Sequence, residues 1–118
     1  MKLYLDDLRV PVEEFDFIAR SYEEAITMIQ KHGCMSYISF DHDLGANDEG
    51  QLLKSGFDFA KWLVEADING TYCFADNFSF KVHSQNPVGK ANIIALLDGY
   101  LRFKKHIQIQ NIVIFSLQ

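Results

Sequence analysis

The segment FDHDLG, residues 40–45, contains residue types that carry out acid–base and metal chemistry. It places Asp41, His42 and Asp43 side by side directly after MSYIS, an apolar run typical of a buried strand. Because unpaired charges are costly to bury, these side chains face solvent or something that they bind. A second stretch, VHSQNPVGK, places His83 and Ser84 at the end of another apolar run. Both stretches are candidates for one wall of a site.

A third polar group, Asp6, Asp7 and Arg9, follows the first apolar run of the chain, KLYL. Carboxylates from two strand ends, such as this pair together with Asp41, can hold a hard cation such as Mg²⁺ or act as a general base. His83 can donate or accept a proton near neutral pH. The residue types therefore allow metal binding and acid–base catalysis, without deciding which carboxylate is the base.

Donors for an anion are predicted beside these groups. A helix that begins at Asn86 would present backbone N–H groups, and Gly89 would let a ligand approach the backbone closely. Arg9 adds a guanidinium with two parallel donors. Anion donors beside an acid–base pair indicate phosphoester chemistry.

Each cluster also has a purely structural explanation. An Asp-Asp pair after a strand is often a solvated turn or a helix cap, and Arg9 can simply neutralise it. His42 is explained equally well as a hydrogen-bond partner of a neighbouring carboxylate, with no role in chemistry. A helix start accounts fully for Asn86 and Pro87, although not for the histidine and serine that precede them.

The hydrophobic pattern predicts strands that alternate with helices. Strands are predicted at residues 2–5, 16–20, 35–40, 78–82 and 111–115, and helices at residues 22–32, 57–66 and 87–105. Ser21 and Glu24 predict a capping box for the first helix, and Gly33 its end. Residues 8–15 are too few for a helical crossover, so the first crossover helix is expected to be missing or reduced.

This alternation predicts one α/β domain over residues 1–118, with a parallel sheet flanked by helices. In such sheets ligands bind beyond the carboxyl ends of the strands. The three polar clusters follow the first, third and fourth strands, which are neighbours in a flavodoxin-like order. We therefore expect the clusters to converge at one edge of the sheet.

Composition excludes several classes of function. The chain has 118 residues, 48% hydrophobic and 23% charged, as in an ordinary globular protein. A net charge of -5 argues against the broad basic surface that duplex DNA needs, but not against a small phosphorylated ligand. Cys34 and Cys73 lack metal-ligand spacing and are expected to be reduced thiols of a cytoplasmic protein. No signal peptide or membrane span is expected.

Four blocks, LYLDDLRVP, ISFDHDLG, GFDFAKWL and VHSQNPVGKANI, together resemble the cyclic-phosphate processing receiver-like domain family. The resemblance extends over residues 2–97. It implies a receiver-like fold and processing of a cyclic phosphate on a nucleotide, an RNA end or an ADP-ribose derivative. The active site that it implies consists of Asp6, Asp7, Arg9, Asp41, His42, Asp43, His83, Ser84 and Asn86.

Comparison with true phospho-receivers adds roles for some of these residues. Asp6 and Asp7 match the acidic metal-binding pair, Asp41 the phosphoacceptor and Ser84 the switch hydroxyl. The lysine that follows the last strand of a phospho-receiver is missing here, where the chain reads FSLQ. We therefore expect a small phosphoesterase in which His83 is the general acid to the leaving ribose oxygen, with Mg²⁺ at Asp6, Asp7 and Asp41 as a possible cofactor. The alternative is a non-catalytic signalling or phosphonucleotide-binding module.

Overall fold

The computed structural model describes residues 1–116, with side chains described for residues 1–111. Four strands are present: β1 (Lys2–Leu5), β2 (Phe17–Ala19), β3 (Tyr37–Phe40) and β4 (Ser79–Val82). Three helices accompany them: α1 (Tyr22–His32), α2 (Gly56–Asn69) and α3 (Pro87–Ser116).

The four strands form one parallel sheet in the order β2-β1-β3-β4. This confirms the predicted receiver-like α/β fold and makes β1, β3 and β4 neighbours. The central strands β1 and β3 are apolar and almost wholly buried, and they pack with α2 and α3 around Phe40, Phe59 and Leu97. Burial of these side chains holds the three strand ends in fixed positions at one edge.

No helix lies between β1 and β2, as the short connection predicted. Hydrogen bonds order this loop instead, together with an ion pair between Lys2 and Glu13 at 3.4 Å. The Arg20 guanidinium, at the end of β2, donates to the backbone carbonyls of Asp6 (3.0 Å) and Arg9 (2.6 Å). At the other end of the loop the Asp16 carboxylate accepts from the backbone N–H of Lys2 at 2.7 Å. The loop is therefore held close to the strand end that carries Asp6.

The predicted strand at residues 111–115 is wrong, because α3 continues through these residues to Ser116. The run NIVIF is rich in β-branched residues, which favoured a strand. However, no glycine or proline follows Gly99, so nothing in the sequence stops the helix that begins at Pro87. Ile and Val reduce helix stability by only a few tenths of a kcal/mol each, so the helix tolerates them.

Helix starts were predicted with mixed success. The Ser21 hydroxyl accepts from the Glu24 N–H at 3.1 Å, as expected. The Glu24 carboxylate accepts from the backbone N–H of Arg20 and not from that of Ser21, so the capping box is incomplete. A complete capping box lies instead at Ser55 and Asp58, where α2 begins. Among the described residues, no helix is both long enough and apolar enough to cross a membrane.

Candidate functional site

Strand register brings three ionisable residues together at the carboxyl edge of the sheet. Leu5 pairs with Phe40, and Phe40 pairs with Val82. The next residue on each strand, Asp6, Asp41 and His83 respectively, therefore enters the same space. One side-chain ligand atom from each of these three lies within 4.8 Å of the other two.

Asp6 is the most buried member, with 1% of its surface exposed. Its Oδ1 accepts hydrogen bonds from the backbone N–H groups of Leu8 (2.9 Å) and Arg9 (2.8 Å), and its Oδ2 lies 2.9 Å from His83 Nε2. Burial alone would raise the pKa of Asp6, but the hydrogen bonds from Arg9, Leu8 and His83 together lower it. Asp6 is therefore a buried, ionised carboxylate that fixes the loop after β1.

His83 has a protein partner for each ring nitrogen. Nε2 faces Asp6, and Nδ1 lies 2.8 Å from the hydroxyl of Ser39, a buried residue of β3. Its ring stacks on Tyr4 of β1 at a centroid distance of 4.6 Å and an interplanar angle of 4°. Since the carboxylate can only accept, we assign the proton of the first bond to Nε2, so that Nδ1 accepts from Ser39. His83 is thus held rigidly, with both nitrogens engaged.

Asp41 is half-buried, and its environment differs from that of Asp6. Burial, followed by the negative charge of Asp6, raises the pKa of Asp41. The backbone N–H of His42, which donates to Asp41 Oδ1 at 2.8 Å, and Ser84 offset this rise only in part. Two neighbouring carboxylates thus have pKa values displaced in opposite directions, a feature common in acid–base sites.

His42 and Asp43 form a second, more open arrangement beside this cluster. His42 Nδ1 lies 2.8 Å from Asp43 Oδ1, while the described residues provide no hydrogen-bond partner for its Nε2. The Asn86 side chain donates to the Asp43 carboxylate at 3.3 Å and accepts from the Gly89 N–H at 3.0 Å. The start of α3 therefore orients the pair and leaves one imidazole nitrogen free.

Two glycines allow these residues to approach one another. A Cβ on Gly89 would lie 2.3 Å from Cγ of His42, so the imidazole packs directly over this glycine. A Cβ on Gly56 would lie 1.8 Å from the carbonyl oxygen of Asp41, and the Gly56 N–H donates to the His42 carbonyl at 2.7 Å. The close approach predicted for a ligand at Gly89 is thus made by His42, and α2 fixes the backbone that carries it.

The remaining predicted residues surround this centre less tightly. The exposed Arg9 guanidinium donates to the His83 carbonyl at 3.3 Å, and the Ser84 hydroxyl accepts from the Asn86 N–H at 3.1 Å. Asp7 points towards Gly45, where a Cβ would lie 3.3 Å from its Oδ2. The structure therefore brings Asp7 to the same edge, but not into the group of Asp6, Asp41 and His83.

The donor set Asp6, Asp41 and His83 fits a metal ion. Two carboxylates and one imidazole form a mixed oxygen and nitrogen set, which suits Mn²⁺, Fe²⁺ or Zn²⁺ better than Mg²⁺, a cation that prefers oxygen ligands. The ion would take the place of the proton on His83 Nε2, and Nδ1 would then donate to Ser39, which fixes the ring as outer hydrogen-bond partners do for metal-binding histidines. This set differs from the predicted one in having His83 where the sequence suggested Asp7.

Three contributors were not identified from the sequence: Tyr4, Arg20 and Ser39. Ser39 carried a signal, because it is a polar residue inside an otherwise apolar buried strand. In the sequence Tyr4 is indistinguishable from an ordinary core aromatic residue. Its stacking on His83 can be predicted only when the order of the strands is known. Arg20 acts on carbonyls 11 and 14 residues away in the chain, which no local pattern reports.

One comparison with known proteins gave a match. The family model described as the cyclic-phosphate processing receiver domain matches residues 1–99. No curated protein and no solved structure matched the chain. The matched range includes every residue of the site described above and ends within α3.

Proposed function

The chain belongs to the cyclic-phosphate processing receiver domain family, and from this premise we propose that it is a phosphoesterase that opens a cyclic phosphate. The substrate is a cyclic phosphate on a nucleotide, an RNA end or an ADP-ribose derivative. The observation that carries the proposal is the His42–Asp43 pair, with Nδ1 held at 2.8 Å and Nε2 free, next to a half-buried carboxylate.

In the proposed reaction a water molecule attacks phosphorus, and the bond from phosphorus to one ribose oxygen breaks. His42 donates the proton at Nε2 to the departing ribose oxygen, while Asp43 holds the ring and stabilises its charged form. The products are a phosphomonoester and a free ribose hydroxyl. We assign this role to His42 rather than to His83, because both nitrogens of His83 are engaged by protein groups.

Asp41 is the proposed general base that takes a proton from the attacking water. Burial and the charge of Asp6 raise the pKa of Asp41, which increases its basicity relative to an exposed carboxylate. Asp6 cannot easily take this role, because three hydrogen bonds stabilise its ionised form. Arg9 is the proposed phosphate ligand, since its guanidinium is exposed at the same edge.

A metal ion bound at Asp6, Asp41 and His83 would supply positive charge to the phosphate and lower the pKa of a bound water. The residues themselves would still orient the substrate and supply the leaving-group proton. Activity with and without EDTA, and with Mg²⁺, Mn²⁺ or Zn²⁺ added back, decides whether this ion takes part.

The proposal is tested by incubating the protein with a nucleoside 2′,3′-cyclic phosphate and with an ADP-ribose cyclic phosphate, and by measuring released monoester. His42→Ala should reduce the rate by roughly 10²–10⁴-fold, the usual contribution of an acid–base group. His106→Ala, at an exposed histidine far along α3, is the matched control and should retain full activity.

Turnover of neither substrate by the wild-type protein would contradict the proposal. Persistent phosphorylation of Asp41 by acetyl phosphate, detected by mass spectrometry, would then support the signalling alternative. Equal activity of His42→Ala and wild type would reject the assigned proton donor while leaving the activity in place.

A further inference from the structure

Charge is distributed unevenly along the chain. Residues 1–76 contain six lysines and arginines against fifteen acidic residues, whereas residues 77–118 contain five against one, Asp98. A marked charge asymmetry between two parts of a sequence suggests a local binding surface for an ion of opposite charge. The basic part includes β4 and α3, which form one end of the molecule.

Four of these five cations lie around one groove. It is about 590 Å³ in volume and lies between the outer edge of β4 and the facing side of α3. Its charged lining residues are these four cations, Lys81, Lys90, Arg102 and Lys105, and one carboxylate, Asp98. Among residues 1–111, none of the four has a carboxylate within 4.0 Å, whereas the fifth, Lys104, pairs with Asp67 at 3.0 Å.

The floor of this groove is aromatic and aliphatic. Phe78, directly before β4, and Phe80 of β4 have nearly parallel rings, 19° apart at a centroid distance of 6.3 Å. Both are only partly buried. A second cavity of about 530 Å³ continues from the groove and shares Phe78, Leu101 and Lys105 with it. The two cavities therefore adjoin one another, and the unpaired cations are concentrated in the first.

The lining of the groove reaches the residues next to the site proposed above. Its lining residue Val82 directly precedes His83, and Lys90 directly follows Gly89, which packs against His42. From Lys90 to Lys105 the helix extends about 22 Å at 1.5 Å per residue. Preventing strand pairing is a sufficient explanation for a lysine on an edge strand such as β4. It does not explain three more cations on the facing helix.

We propose that this groove binds the single-stranded nucleic acid that carries the cyclic phosphate, so that the substrate is an oligonucleotide end rather than a free nucleotide. The inference rests on the proposed function and names its substrate class. Cations along a groove that contains aromatic rings are the arrangement by which proteins hold single strands without reading their sequence. The cations contact phosphates, and Phe78 and Phe80 offer surfaces for bases.

Binding is tested apart from catalysis with a fluorescent eight-nucleotide single-stranded RNA that ends in a 3′-hydroxyl. Anisotropy titrations at several salt concentrations compare wild type with the double variant Lys81→Gln/Lys105→Gln. Removal of two phosphate contacts should weaken binding at 50 mM salt by at least about tenfold and reduce the salt slope by about 1.4. The control Lys31→Gln/Lys61→Gln removes the same charge from exposed positions on α1 and α2 and should change neither quantity.

Turnover supplies a second readout. The Lys81→Gln/Lys105→Gln variant should have a higher KM, and therefore lower activity, on an oligonucleotide 2′,3′-cyclic phosphate. It should keep wild-type activity on a nucleoside 2′,3′-cyclic phosphate. Failure of the proposed function would appear as no turnover of either substrate with binding intact. Absence of RNA binding by the wild type, an equal loss in the control variant, or equally tight binding of a decaglutamate peptide would each overturn the groove assignment.

Discussion

The two histidines of the site occupy contrasting surroundings although they lie at the same edge of the sheet. His83, in the buried half, has a partner for each nitrogen and an aromatic ring against its face. His42, in the open half, is held at Nδ1 by the exposed Asp43 and packs over a glycine. The same residue type is thus held at both ring nitrogens in one half and at only one ring nitrogen in the other.

This contrast distinguishes residues that stabilise the fold from residues that can reach a ligand, which residue types alone cannot do. The buried half, Asp6, Ser39 and His83, stabilises the strand ends and can hold a metal ion. The open half, His42, Asp43 and Asn86, is positioned by the starts of α2 and α3 and can reach a ligand. Substitutions in the buried half should therefore reduce stability, and those in the open half should reduce activity.

The largest expected effect on stability is that of Asp6→Ala. It removes the acceptor of two part-buried backbone N–H bonds and the partner of His83, and leaves three donors without this acceptor. We expect a loss of about 3 kcal/mol in the free energy of unfolding, measured by urea titration. The matched control, Asp76→Ala, changes an exposed carboxylate in the loop before β4 and should change stability by less than about 0.5 kcal/mol.

Acid should reveal the same interaction in the wild type. Since the pKa of Asp6 is lowered by folding, its contribution is present above the ordinary value of 3.8 and is lost as pH falls through the lowered pKa. Asp6→Ala should lack this part of the acid-induced loss of stability. Equal acid sensitivity of variant and wild type would place the stabilising interaction elsewhere.

Gly89→Ala should affect the open half selectively. A Cβ at this position would lie 2.3 Å from the His42 ring, so the ring must move. We expect at least a tenfold loss of kcat, because a misplaced general acid is ineffective, with little change in the melting temperature. Gly99→Ala is the control: nothing lies within 4 Å of its Cβ position, so activity should be unchanged and α3 slightly stabilised. Full activity of Gly89→Ala would remove His42 from the mechanism.

The smallest effect concerns Asp41, which lies between the two halves. Because folding raises its pKa, the fold is more stable with Asp41 neutral, and this stability is lost as pH rises through the raised pKa. Asp41→Asn should therefore be more stable than wild type at pH 7, by less than about 1 kcal/mol in the free energy of unfolding given its partial exposure, and should melt at a higher temperature. The two proteins should converge below pH 4, and a lower melting point at pH 7 would contradict the assigned repulsion.

The fold could be predicted from the sequence because its signals are local. Apolar runs, the N-cap at Ser21 and the short first connection together indicate a parallel sheet without a first crossover helix. The exception was residues 111–115, where strand propensity competed with an uninterrupted helix. Propensity differences of a few tenths of a kcal/mol per residue cannot decide such a competition.

The composition of the site was predictable, but the partners of its residues were not. Polar residues at three strand ends must meet once the strand order is known. Which nitrogen of which histidine is free depends on side chains from other elements, such as Ser39 on β3 and Asn86 before α3. The sequence suggested His83 as the general acid because an imidazole can donate a proton near neutral pH, and its bonds to Asp6 and Ser39 are visible only in three dimensions.

The most direct test of the division between the two histidines is chemical rescue by imidazole. Hydrolysis of a nucleoside 2′,3′-cyclic phosphate is followed by ³¹P NMR in His42→Ala and His83→Ala, with increasing imidazole. We predict that the rate of His42→Ala rises with imidazole concentration, because the described residues provide no partner for Nε2 of His42, and that His83→Ala melts at a lower temperature and is not rescued. Rescue of His83→Ala alone, or a His42→Ala rate equal to that of wild type, would contradict the account.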